Sequence, residues 1–311
     1  MTTIRSARAF SIRARELGRH LRGAQELSGL NGKTLARRLG WSETRLSRVL
    51  SGRASSDDVD ISALLALCGV TGGWRADILR LCHPSADPNV LRLPVDEHTD
   101  AYAAHSAEAT ALFEYQPNSV PRIGQVPDYP RSVFGVHVTS HAGLRTLLDL
   151  PDVSLLVHEW ALRNPVASAG VMSDQVHHLL RLSVRSNLSI RVIPLKSAAV
   201  PAAAGGFALV ECADYDPFVY REEPTAGLLI GDADEVGRYA GLRRVLRAAA
   251  FDEAASRELL NAIAIEFGAD ADQVDAACAC ALPCASGTAS TRNPSSIRGD
   301  IPEVAAVLTR P

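Results

Sequence analysis

Residues 31–52 read NGKTLARRLGWSETRLSRVLSG, and this stretch decides the architecture of the N-terminal part of the chain. Leu35, Ala36 and Leu39 recur at helical spacing, and so do Leu46, Val49 and Leu50. The two short amphipathic segments meet at Gly40, where a helix end favours a residue tolerant of positive φ. Two residues on, Ser42 is placed to cap the second segment through its hydroxyl. Ala36 is small where two helices cross closely. This is the layout of a helix-turn-helix, whose second helix enters the DNA major groove.

Helical geometry then assigns the faces. With Leu46, Val49 and Leu50 turned inward, Thr44, Ser47 and Arg48 point outward and Arg45 lies on the flank. Together with Glu43 at the helix start, these are the expected base-reading residues. Thr44 and Arg48 are four apart and project together, and an arginine suits a bidentate contact with guanine O6 and N7. Glu43 suits the helix dipole but repels phosphate, so it either reads cytosine N4 or points away. Lys33, Arg37, Arg38 and Arg53 flank the helix and are expected to neutralise phosphates, which positions the protein without reading sequence. Arg5, Arg8 and Arg13 are expected to form a basic arm.

The same periodicity extends outward. Ala14, Leu17, Leu21 and Ala24 precede the motif on one helical face, and Ile61, Leu64, Leu65 and Cys68, then Trp74, Ile78 and Leu81, follow it. Residues 10–83 are therefore expected to form an all-α, five-helix domain. The proline-rich stretch within 84–97 reads as a linker. Residues 98–267 read as a mixed α+β domain. Its expected parts are a helix through Glu108–Phe113, a strand over Val153–His158, and a helix capped by Ser173. Strands at 188–194, 206–212 and 218–222 are expected to form a small antiparallel sheet. Two further helices run along Val236–Leu246 and Asp252–Phe267. The fold class is α+β, and 268–311, rich in Ala, Ser, Pro and Gly, reads as a disordered tail.

Charge supports a polyanion-binding head. The chain of 311 residues carries a net charge of −3. Within it, residues 1–53 hold twelve Lys/Arg against three acids, net +9, and the remainder holds twenty against thirty-two, net −12. A basic head on an acidic body fits a nucleic-acid module fused to something else. Ordinary apolar and charged fractions, 47% and 22%, exclude wholesale disorder and collagen-like structure. No apolar run is long enough for a membrane span, and no secretory signal is read at the start.

LARRLGWSETRLSRVLSG resembles the XRE (Cro/C1-type) helix-turn-helix, usually LA-x-x-LG-x-S-x-x-x-x-SR-x-E-x-G. Leu35-Ala36, Leu39-Gly40, Ser42, Ser47-Arg48 and Gly52 match, while Leu50 stands where that family has Glu. Further on, VPRIGQVPDYPRSVF resembles a segment of actinobacterial-type regulators in which such a head precedes a C-terminal domain of unknown function. HEWALRNPV, NLSIRVIPL, GGFALVE and FVYRE extend the likeness over residues 10–265; Arg122, Gly124 and Val126 depart from that family's Gly, Leu and Thr. The resemblance implies a transcriptional regulator, antitoxin-like in some cases, encoded beside a small partner protein.

Other chemistries find little footing. No GxSxG, P-loop or GxGxxG occurs, and His158-Glu159 lacks the second histidine of a zinc protease. His177-His178 sit on neighbouring positions of one helix, about 100° apart, which makes them poor co-ligands. Glu159 and Arg163, at i,i+4, read as a surface pair. Asp96, Glu97 and Asp100 form an acidic patch with no partner motif, and Gly205-Gly206 reads as a turn before a strand. Cys278, Cys280 and Cys284 are three thiols where a structural zinc site wants four ligands. With Cys68, Cys82 and Cys212 they show no disulfide framework, which fits a reducing cytosol.

The expectation is a cytoplasmic, sequence-specific regulator that binds double-stranded DNA, works as a homodimer, needs no cofactor or metal and is not an enzyme. Its second domain serves dimerisation, a partner protein or a ligand. The alternatives are a hydrolase-like second domain targeted to DNA and a protein-interaction module.

Overall fold

The computed structural model of the chain describes residues 11–54, 56–83, 87–134, 142–164, 166–197 and 205–280. The head contains α1 (Ile12–Ser28), α2 (Gly32–Leu39), α3 (Glu43–Leu50), α4 (Asp58–Leu67) and α5 (Gly72–Cys82). Local signals set their limits. Asn31 Oδ1 accepts from the Thr34 N–H at 2.8 Å and Ser42 Oγ from the Arg45 N–H at 3.1 Å, so each helix of the motif is capped by its own side chain. Gly40 ends α2 at φ 69°, the left-handed conformation its lack of Cβ permits.

Leu21, Leu35, Leu46, Ile61, Leu64 and Ile78 close a separate core within these helices, each side chain contributing roughly 1.5–3 kcal/mol of apolar transfer. The crossing of α1 under the end of α3 is close. A Cβ on Gly18 meets the Leu50 carbonyl oxygen at 2.5 Å, and one on Gly52 meets the Ala14 carbonyl oxygen at 2.7 Å.

Beyond the head the structure corrects the expected sheet. Seven strands form one mixed sheet: β1 (Val90–Leu93), β2 (Ala109–Gln116), β3 (Asp152–His158), β4 (Leu188–Ile193), β5 (Phe207–Cys212), β6 (Phe218–Glu223) and β7 (Ala226–Ile230). They lie in the order β1-β7-β6-β5-β2-β3-β4. β2, β3 and β4 are parallel neighbours, and the other pairings are antiparallel. The sheet is therefore neither small nor purely antiparallel.

Three particulars changed the count. Residues 109–116, overlapping the helix expected through Glu108–Phe113, are β2; Phe113 and Tyr115 pack on one face and Leu112 on the other. A strand buried on both faces loses the alternation that would have announced it. Residues 90–93, inside the stretch read as linker, pair antiparallel with β7. β7 itself follows β6 after a turn that carried no strong signal.

α6 (His98–Ser106), α7 (Asp128–Phe134), α8 (Ala142–Thr146), α9 (Glu159–Arg163) and α10 (Ala169–Leu182) occupy the intervals before β4. α10 starts earlier than expected, with Ser168 rather than Ser173 as its cap. α11 (Ala233–Ala249) packs Val236 and Leu246 into the apolar cluster that holds Phe113 and Tyr115, while α12 (Glu253–Cys280) sends Leu260 and Ile263 into the cluster that holds Leu112. Among the described residues, those up to 271 form one unit by chain contacts and those from 272 on belong to another. Residues 281–311 of the expected tail, Cys284 among them, and Arg5 and Arg8 of the expected arm lie outside the described residues, as do the side chains of Cys278 and Cys280.

Candidate nucleic-acid interface

α3 presents the face that its sequence assigns. Leu46, Val49 and Leu50 are buried, whereas Glu43, Thr44, Arg45, Ser47 and Arg48 are exposed. The side chains of Glu43, Thr44, Ser47 and Arg48 have no hydrogen bond or ion pair with a described residue. The same holds for Lys33, Arg37 and Arg38, all exposed on α2. The helix-turn-helix thus displays four unneutralised cations, Lys33, Arg37, Arg38 and Arg48, beside small hydroxyls, on two helices each capped by its own side chain. Unpaired guanidinium and ammonium groups can take phosphate oxygens or base edges without first giving up an internal partner.

Two of the predicted contacts sit differently. The Arg45 guanidinium lies 4.2 Å from the centroid of the Trp41 ring and pairs with Asp60 on α4. It braces the motif against α4, and reading a base requires that pair to open. Arg53 stands 3.8 Å from Asp214 and 5.3 Å from the centroid of Tyr215, both in the turn between β5 and β6. Arg13, expected in a basic arm, is inside α1 and donates from Nε to the Leu81 carbonyl at 3.0 Å, sealing the end of α5.

Sequence spacing gave no sign of what joins the head to the rest. Glu16 on α1 is fully buried, yet it accepts from Arg19 Nη2 at 2.6 Å, meets His20 Nε2 at 3.1 Å and meets His105 Nε2 on α6 at 2.8 Å. Burial pushes its carboxyl up, but the hydrogen bonds from Arg19, His105 and His20 outweigh this and hold it well below the usual carboxylate range. Burial lowers the His105 imidazole, opposed by its hydrogen bond to Glu16. Arg15, the neighbouring residue, reaches the His105 carbonyl at 3.2 Å and lies 4.1 Å from the Tyr215 ring centroid. Ile12 of the same helix joins the core of the sheet domain. α1 belongs to both cores at once.

A second polar cluster lies within the sheet domain. Glu114 on β2 is buried; its Oε1 accepts from the Arg122 N–H at 2.6 Å, and its Oε2 has no partner among the described residues. Burial pushes this carboxyl up to about 7. Tyr102 and Tyr220 stack nearby at 4.1 Å, and His98 Nδ1 meets the Tyr220 hydroxyl at 2.6 Å. Arg122 pairs with Glu222, so its charge is balanced locally. Glu159 and Arg163 pair at 2.6 Å, as their spacing suggested. Among the described residues, no group of three His, Cys, Asp or Glu is placed to hold a metal ion, and no helix is long and apolar enough to cross a membrane.

The capped pair α2–α3 within five helices defines the head as a helix-turn-helix domain, and the model of that domain matches residues 16–78. The sheet domain is of a second kind: the model of the domain of unknown function DUF5753 matches residues 99–262, and the chain belongs to that family. No curated protein matches the sequence. Among solved structures the chain is similar to TrmBL2, an archaeal chromatin protein whose structure shows a novel mode of DNA binding. The identity is 11% and the TM-score 0.29, over 52% of this chain and 53% of that one. The chain thus spans about half the length of that relative, a likeness too slight to carry an argument.

Proposed function

We propose that this protein is a sequence-specific regulator of transcription that docks α3 in the major groove of double-stranded DNA. The observation that carries the reading is the outer face of α3, where Thr44, Ser47 and Arg48 are exposed and without internal partners on a capped helix-turn-helix. Arg48 reads a base edge, with Thr44, Ser47 and Glu43 beside it; Lys33, Arg37 and Arg38 take phosphates. The resemblance to XRE-type regulators supports the same assignment. The sheet domain serves dimerisation, a small partner protein encoded nearby, or an effector, in the cytoplasm and with no catalytic step of its own. In a dimer the two half-sites lie about 34–36 Å apart, one turn of the duplex.

Footprinting of the purified full-length protein on fragments of its own genome tests this. The expected result is discrete protected sites whose affinity falls steeply with salt, because phosphate contacts release counterions. Arg48→Ala is expected to lose roughly 1–3 kcal/mol of discrimination at one base pair. Uniform, unprotected fragments refute the regulator, and an Arg48→Ala variant with unaltered affinity and preference refutes the docking of α3.

A further inference from the structure

We propose that the turn between β5 and β6 is a built-in brake on duplex binding, holding Arg53 in a clasp that a DNA phosphate must displace. The inference rests on the DNA-binding reading above. Arg53 lies three residues past Leu50, the last residue of α3, and its N–H is tied back to the Arg48 carbonyl at 2.7 Å. Its backbone is further fixed by Gly52, whose φ of 72° and close approach to Ala14 leave no room to swing away. The base of the side chain is thus fixed beside the end of α3, at the rim of the proposed DNA face.

At that rim the sheet domain intrudes. The turn reads Ala213-Asp214-Tyr215-Asp216-Pro217, with both aspartates exposed. Asp214 Oδ1 lies 3.8 Å from Arg53 Nη2, and the Tyr215 ring centroid lies 5.3 Å from the guanidinium carbon. Tyr215 is itself held in place, because Arg15 lies 4.1 Å from the same ring and is anchored to the His105 carbonyl. Arg53 Nε is buried with no hydrogen-bond partner among the described residues. The clasp therefore satisfies the cation only in part.

For the fold, a half-exposed ion pair of this length matters little. Toward DNA it acts twice. It engages a cation that otherwise neutralises phosphate, and it sets two carboxylates next to a polymer carrying one negative charge per roughly 1.7 Å. Repulsion acts on phosphates that come within a Debye length of the turn, about 10 Å at 0.1 M salt. Any signal that shifts the turn releases Arg53, so the sheet domain can set DNA affinity without touching the recognition helix.

The test uses full-length protein and fluorescence anisotropy with a labelled, mixed-sequence duplex of about 30 base pairs, between about 50 and 200 mM salt. Asp214→Asn is expected to tighten binding roughly 3- to 10-fold at the low-salt end and to steepen the salt slope by about one ion at most. Glu258→Gln, which removes an equal charge from the exposed face of α12, controls for net charge and is expected to change affinity less than about 2-fold. In an Arg53→Ala background the gain from Asp214→Asn is expected to shrink, leaving only the part that comes from repulsion between Asp214 and phosphate. A wild type that does not bind while Asp214→Asn does also supports the brake. If wild type binds and Asp214→Asn matches Glu258→Gln, or if its gain is undiminished in Arg53→Ala, the brake is overturned and the DNA reading stands. If no protein binds, both fall together.

Discussion

Glu114 shows how much one side chain can carry. Its carboxyl is enclosed, one oxygen accepts from the Arg122 N–H, and the other has no partner among the described residues. Burial raises it from 4.5 to about 7, opposed in part by the backbone N–H groups of Arg122 and Ile123. The folded state therefore keeps a proton that the unfolded chain releases between those two values. Stability falls as pH rises through that window and is level above it. Glu114→Gln keeps the acceptor and the shape but has no proton to lose. Relative to wild type, the variant is expected to gain on the order of a few kcal/mol between pH 4.5 and pH 8. Urea melts at the two pH values check this, and an equal pH response in both proteins removes Glu114 as the cause.

Among elements, the helix-turn-helix was legible and the sheet was not, for a physical reason. Caps, a positive-φ glycine and a three-and-four apolar spacing are local signals, so Gly40 and Ser42 announce the junction of α2 and α3 within a few residues. Ser42→Ala is expected to cost about 1 kcal/mol of stability, read by urea unfolding. Strand pairing is non-local. β2 pairs with β3 and β5, each tens of residues away, and its two-sided burial mimics a helical run.

The α1–α3 crossing was equally hidden. Nothing in the spacing of Gly18 and Gly52 tells that each faces backbone at under 3 Å. Gly18→Ala must push α3 off α1, since the atom it meets is a carbonyl oxygen and not a flexible side chain. A cost of roughly 1–3 kcal/mol in denaturant unfolding is expected, together with weakened DNA binding as α3 shifts. A Gly18→Ala protein of wild-type stability shows that the crossing is looser than described.

In the whole molecule, what matters is that the head is not a free module. α1 places Leu21 and Ala24 in one core and Ile12 in the other, and Glu16 joins the two through His105. A buried carboxylate is tolerable only while its partners remain, and losing them costs about 3–5 kcal/mol. The two domains are therefore expected to unfold together in one calorimetric transition near neutral pH. Glu16 has its carboxyl held below the unfolded value of 4.5, so its contribution is present above that pH and is lost as pH falls toward the lower folded value. Acid should thus loosen the junction before it melts the sheet. Glu16→Gln mimics this at neutral pH: it keeps a weak bond to His105 but gives up the charge that Arg19 answers. The variant is expected to show an earlier transition for the head, separated from that of the sheet domain. Scanning calorimetry decides the matter, because a single transition at the wild-type temperature means that the remaining contacts, those of Ile12, of Arg15 with His105 and Tyr215 and of Arg53 with Asp214, hold the two domains together without the Glu16 charge.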